Sequence, residues 1–325
     1  MNGRDSYVRA LAESHRSVEG LAAWIEGFGG WRVLSVILPS MWVIVGCSVL
    51  VLLGLLVIVG WGGVAVQPPP TPAQDGAVPA GRPPVGLVVR RYLWCLTLAI
   101  SAGVGAGILA AGAGGRLAMR LLAVTAGPDA HGRITEADQV VGRISVDGTV
   151  AFIVFTGLFF GAASGAAYLL VRRWLPAGRT GGVAFGVLLL VLAGTRLEPL
   201  RPGNPDFDLV GPGWVSVATF GALVLFHGML VAALAGRLSW AVPLLAPTPR
   251  AIVAHVPLLL LALGTVAVVA AAVGALVVLA SQLPAVAAAW RDRRAVTAGR
   301  VVLALVASAA LPGFTRAVID LLARP

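Results

Sequence analysis

From Val33 to Trp61 no charged side chain interrupts the chain, and that run restricts the possible folds more than any other feature. A helix needs about 20 apolar residues to cross roughly 30 Å of hydrocarbon, so the run spans a bilayer with some tilt. Trp31 and Trp61 stand at its ends, where indoles favour the membrane interface. Further apolar runs cover 92–114, 148–170, 181–195, 214–235, 251–283 and 301–322. Only 12% of the residues are charged and 58% are hydrophobic. A soluble domain is about one-quarter charged, because it must cover itself with polar groups. The expected fold is therefore all-α, a polytopic transmembrane helix bundle of about seven helices, six if one weaker candidate fails. Residues 181–195 give only about 22 Å of helix, short of the hydrocarbon. Residues 301–322 contain Pro312-Gly313 and Arg316, which predicts a break or a re-entrant turn.

Residues 1–32 form an appendix of different character. Val8, Leu11, Val18, Leu21, Ile25 and Phe28 recur at helical spacing, with Arg9, Glu13, Arg16 and Glu19 mostly elsewhere. This predicts an amphipathic helix preceding the first span at 33–61. Its charges nearly cancel, so anionic lipid attracts it weakly. Acids mixed with arginines before the first apolar run do not make a signal peptide. Residues 62–91 carry Pro68, Pro69, Pro70, Pro72, Pro79, Pro83 and Pro84, the composition of a tether. That tether makes the first span an appendage to a helical core at 92–322, whose polar loops are 115–149 and 196–213.

The formal charge is +10, and every basic residue is arginine. An arginine-only, Ala/Gly/Val-rich chain fits a high-GC bacterial genome and a multi-pass place in the bacterial plasma membrane. A pI near 11.3 would suit a nucleic-acid binder. Here the arginines are scattered along loops without interleaved aromatics, so they read as orientation signals and no nucleic-acid partner is expected. If all seven runs cross, linker 62–91, loops 171–180 and 236–250 and the C-terminus share one face. The Arg90-Arg91 and Arg172-Arg173 pairs mark that acid-poor face as the cytoplasmic one. Cys47 and Cys95 lie inside apolar runs, as packing residues and neither a disulfide nor a metal pair.

Small residues repeat every four positions at Gly103, Gly107, Ala111 and Gly115, and again at Gly157, Gly161 and Gly165. Such spacing clears one helix face so that backbones approach closely, and Gly182 and Gly186 repeat it in the fourth run. The polar loops supply the candidate ligand or partner residues. Arg116 and Arg120 share a helix face as it leaves the membrane, and Gly132-Arg133-Ile134-Thr135 is echoed by Gly142-Arg143-Ile144-Ser145. Glu136, Asp138, Asp147, Glu198, Asp206 and Asp208 are the acids available to neutralise those arginines. Thr135 is expected to cap a short helix, and Asp147 or Thr149 the third span.

His227 is the titratable residue nearest the middle of a span, and an ionisable group there is expensive unless it is neutral and bonded. The histidines are far apart in sequence with no HExxH, so no metal site and no cofactor are expected. Ser164, within Gly161-Ala-Ala-Ser-Gly165, with His227-Gly228 on a later helix, faintly resembles the serine–histidine dyad of rhomboid proteases. That signature asks for glycine two residues before the serine, where this chain has Ala162.

Over about 90–240 the chain resembles uncharacterised multi-spanning integral membrane proteins of high-GC bacteria. The resemblance is carried by Gly115-Arg-Leu-Ala-Met-Arg120, Gly132-Arg-Ile-Thr-Glu-Ala137, Arg172-Arg-Trp-Leu-Pro176 and Asn204-Pro-Asp-Phe207. It implies a shared fold and no particular reaction or ligand. The functional expectation is a non-catalytic scaffold, sensor or accessory subunit with a protein partner or a second copy in the lipid bilayer. A secondary transporter or permease is the alternative, and an intramembrane enzyme resting on Ser164 and His227 the second one.

Overall fold

The computed structural model describes residues 30–69, 83–136, 140–142, 145–197, 199–262 and 265–324. The amphipathic segment expected before the first span, and most of the proline-rich linker, lie outside them. Among the described residues the regular structure is helical, with one isolated antiparallel bridge between Ile134 and Val140.

The described residues form nine helices, α1 to α9 in chain order. They are α1 (Gly30–Trp61), α2 (Val85–Thr125), α3 (Val146–Val171), α4 (Arg179–Gly194), α5 (Gly213–Ala241), α6 (Pro249–Ala254), α7 (Thr265–Gln282), α8 (Pro284–Arg291) and α9 (Arg293–Leu322). Of these, α2, α3, α5 and α9, with Met41–Trp61 of α1, are long and apolar enough to cross a membrane. Their large side chains face outward without a protein partner: Trp42 is 73% exposed, Phe155 58% and Leu305 64%. In water such a surface would aggregate; in lipid it is the solvated face.

The ends of each helix reveal which face of the bundle they occupy. On one face, called here the linker face, Arg179 at the start of α4 donates to the Val59 and Gly62 carbonyls ending α1. Arg172 after α3 reaches the Val66 carbonyl, and the Gln67 N–H donates to the Ser239 hydroxyl near the end of α5. Arg90 near the start of α2 bonds the Leu245 carbonyl at 2.6 Å. On the opposite face, the cap, the end of α2 meets the start of α3, and the Leu200 N–H after α4 returns to the Gly194 carbonyl at 2.7 Å. There the last turn of α9 abuts Gly213, the first residue of α5. Helix α4 is shorter than a full span, yet its two ends lie on opposite faces.

Segment 251–283 does not cross. It leaves the linker face near Arg90, and its far end returns there, where the Gln282 side chain donates to the Pro83 carbonyl at 3.1 Å. Pro257, with no N–H to donate, interrupts the helical bonding after α6, and Val256–Ala262 tightens into a 3-10 turn. One apolar run thus becomes three pieces. The last run behaves oppositely: α9 is one continuous helix through Pro312, where a break was expected. Among the described residues six passes result, by α1 to α5 and α9, and Leu321 at the end of α9 lies on the cap face, not on the linker face expected from seven crossings.

The core forms where α2 meets α3 and α5, and where α4 meets α5. Ala102, Ala106 and Ala110 of α2 pack with Tyr168, Phe185, Leu230 and Val231. The first span is part of this packing. A Cβ on Gly54 of α1 would stand 2.8 Å from the Phe226 ring of α5, so α1 belongs to the bundle it was expected to flank. Helix α2 outruns the bilayer: its 41 residues make about 60 Å of helix, twice the hydrocarbon thickness. The span was expected to end near Gly114 with the helix leaving the membrane through Arg116 and Arg120, and Leu122 and Ala123 carry it on to Thr125 by burying themselves beneath the cap loops. It stops at Gly127, whose φ of +84° takes the chain left-handed.

Candidate functional site

The glycine register brings α2 and α3 into backbone contact. A Cβ on Gly103 would overlap the Gly161 carbonyl, one on Gly107 would stand 2.8 Å from the Gly157 Cα, and one on Gly165 would overlap the Ala99 carbonyl. Gly115, one step further, faces the Phe152 ring at 3.2 Å. A second such contact joins α4 to α5, where a Cβ on Gly228 would lie 2.5 Å from the Gly186 Cα.

Between these contacts, Ser164 and His227 meet inside the bilayer. Ser164 lies roughly 12 Å of helix from Arg172, and His227 roughly 15 Å from Arg237, so both sit near mid-membrane. The Ser164 hydroxyl is 2.8 Å from His227 Nε2 and 2.8 Å from the Gly161 carbonyl oxygen, and both residues are buried. The hydroxyl has one hydrogen to give. Donated to Gly161, it leaves Ser164 to accept from Nε2–H. Donated to His227, it leaves the proton on Nδ1, which is buried and has no hydrogen-bond partner. Ala106 directly precedes a π-helical turn, Gly107–Gly112, a local widening often found beside functional groups. A nucleophilic serine also needs donors for an oxyanion and room for an acyl group. Gly161 and Gly165, on either side of Ser164, are pressed onto α2 instead. The pair makes an interhelix bond from α3 to α5.

Arg116 and Arg120 lie at the other boundary of the membrane, since about 37 Å of helix separates Arg91 from Arg116. No carboxylate pairs with either one among the described residues. Arg116 donates to the Gly148 carbonyl in the first turn of α3, and its guanidinium stands over the Phe152 ring, 4.8 Å from the centroid. Its Nε–H is buried and has no acceptor. Arg120 donates to the Gly142 carbonyl at 3.3 Å. Asp147, one residue from Gly148, is exposed and held by the Ser145 hydroxyl and the Gly148 N–H. Ser145, and neither Asp147 nor Thr149, caps α3, accepting from the Gly148 N–H at 3.2 Å.

The remaining candidates build the cap. Glu136 forms an ion pair with Arg201, joining the two polar loops, and its N–H donates to Asp206 Oδ1 at 2.7 Å. The Asn204 side chain accepts from the Asp206 N–H at 2.8 Å. Asp208 pairs with Arg324 at 3.1 Å, and Arg324 also donates to the Pro202 and Asn204 carbonyls. Arg133 is exposed, its carbonyl accepting from the Val141 N–H at 2.9 Å. Asp138, Arg143 and Glu198 lie outside the described residues. Beneath the loops, Leu200, Phe207, Val215, Phe220 and Leu321 pack on Ala118 and Leu122. Arg324 was missed from the sequence because counting seven crossings put it on the opposite face.

No three of histidine, cysteine, aspartate and glutamate gather closely enough among the described residues to hold a metal ion. Comparisons with protein families, with curated proteins and with solved structures give no match.

Proposed function

We propose that this is a non-catalytic integral membrane protein of a bacterial plasma membrane, acting as a scaffold or accessory subunit through its cap. The observation that carries the reading is the cap itself: two loops and the end of α9 are cross-tied by Glu136–Arg201 and Asp208–Arg324 into one preassembled polar surface. The exposed Ile134 and Leu197 stand on that surface as apolar anchors of the kind partner proteins bury. The linker face supports an orientation. Arg90, Arg91, Arg172, Arg173, Arg179, Arg237, Arg250, Arg293, Arg294 and Arg300 stand there against the single acid Asp292 among the described residues. Such an excess marks the cytoplasmic side and leaves the cap outside. A bacterial source rests on the all-arginine composition and on the sequence resemblance.

The test pairs two measurements. A photo-crosslinking residue at Ile134 or Leu197 should give one common protein adduct in cells, absent from the lipid-facing Val268, and Arg201→Glu should abolish it. A fluorophosphonate probe should leave Ser164 unlabelled. Labelling of Ser164 that His227→Ala removes would replace this reading with the enzymatic one, and cap adducts indifferent to Arg201→Glu would sink the scaffold.

A further inference from the structure

We propose that Arg116 and Arg120 form a receptor for the phosphodiester of an anionic phospholipid in the leaflet on the cap side. Two guanidinium groups one helical turn apart carry two positive charges at the level where headgroups lie. Each spends one identified bond on a backbone carbonyl, Gly148 for Arg116 and Gly142 for Arg120, and neither meets a carboxylate among the described residues. The buried Arg116 Nε–H has no acceptor at all. That Nε–H is closed to any ligand, but Arg116 and Arg120 are each only partly buried, and their remaining guanidinium N–H groups are the donors an acceptor from outside the chain would reach. Guanidinium donors in a planar fork match a phosphate oxygen pair better than any other common anion at this depth.

The surroundings select a lipid as the source. Val150, Val154 and Phe155 on α3, within two turns inward of Gly148, are exposed apolar side chains. They offer acyl chains a path directly below the headgroup. Phe152 closes the floor under Arg116. Asp147, the nearest acid in sequence to the Gly148 carbonyl, is exposed and bonded to Ser145 and backbone N–H groups, and it forms no ion pair with Arg116 or Arg120.

The full chain in detergent is titrated with phosphatidylglycerol, phosphatidylcholine or inorganic phosphate, reading the melting temperature and the number of lipids retained in native mass spectra. Phosphatidylglycerol should stabilise and phosphatidylcholine should not. Arg120→Gln, the milder change, should weaken the effect roughly tenfold, the worth of one charge-assisted bond. Arg116→Gln with Arg120→Gln should remove one retained lipid, while Arg250→Gln on the linker face should not touch this site. Arginine-dependent stabilisation by inorganic phosphate alone would keep the phosphate site and assign it a soluble ligand. Equal response to both lipids, or a double variant that keeps the wild-type preference and lipid count, would overturn the proposal. If the double variant does not fold, Arg120→Gln decides the question alone.

Discussion

At the scale of single residues, the closest fits in this molecule involve side chains that are not there. Gly103 has no room for a methyl group, since its Cβ would occupy the Gly161 carbonyl, whereas Gly221, also inside a spanning helix, has nothing within 4 Å. Gly103→Ala must therefore push α2 from α3 and should cost about 1–3 kcal/mol, as overpacking does elsewhere. Gly221→Ala should cost almost nothing. Detergent melting curves compare the two, and equal melting temperatures would show that the close approach does not bear on stability. The glycine register was legible because small residues four apart are themselves the packing signal. The partners of Arg116 and Arg120 were not, because backbone carbonyls are present at every position and leave no mark in the sequence. Of the expected carboxylates, Glu136 is taken by Arg201 and Asp208 by Arg324 instead.

At the scale of elements, hydropathy identified the runs but not where each one turns. Segment 251–283 reads as one long apolar span, and only Pro257 hints that its hydrogen bonding fails. The reverse held in α9, where Pro312 sits within unbroken helix, because spanning helices tolerate a proline when neighbouring groups absorb the freed carbonyl. A single non-crossing segment reverses the side of everything after it. In a background lacking Cys47 and Cys95, Ala323→Cys and Leu197→Cys should react alike with an impermeant thiol reagent on intact cells. Ala177→Cys, in the loop after α3, should behave oppositely. Reaction of Ala323→Cys in step with Ala177→Cys would mean that segment 251–283 crosses after all.

At the scale of the whole molecule, charge is divided by face. Acids and arginines nearly balance over the described cap, where Asp129, Glu136, Asp147, Asp206, Asp208 and Asp320 stand, while the linker face is almost purely basic. On the linker face Arg173 and Arg179 bond carbonyls at the ends of neighbouring helices, while Arg90 and Arg172 bond the loop carbonyls of Leu245 and Val66. Cations favour the carbonyl ends of helices, so Arg173 and Arg179 fasten the helices they meet. Orientation with the cap outside predicts that alkaline phosphatase joined after Arg324 is active and that a fluorescent protein joined there stays dark. The opposite pair of results would place the basic face outside the cytoplasm. The global bundle was legible from composition and run length, yet the packing of α1 into it was not, because a proline-rich tether says nothing about where its far end docks.

Because α1 begins and α9 ends on the same side, two copies of this bundle joined head to tail would both insert the same way up. Had segment 251–283 been a seventh crossing, the second copy would have been forced upside down. Gene duplication followed by fusion would thus yield a twofold related about the membrane normal, with both basic faces together, and never the antiparallel pseudosymmetry that an odd count of passes produces.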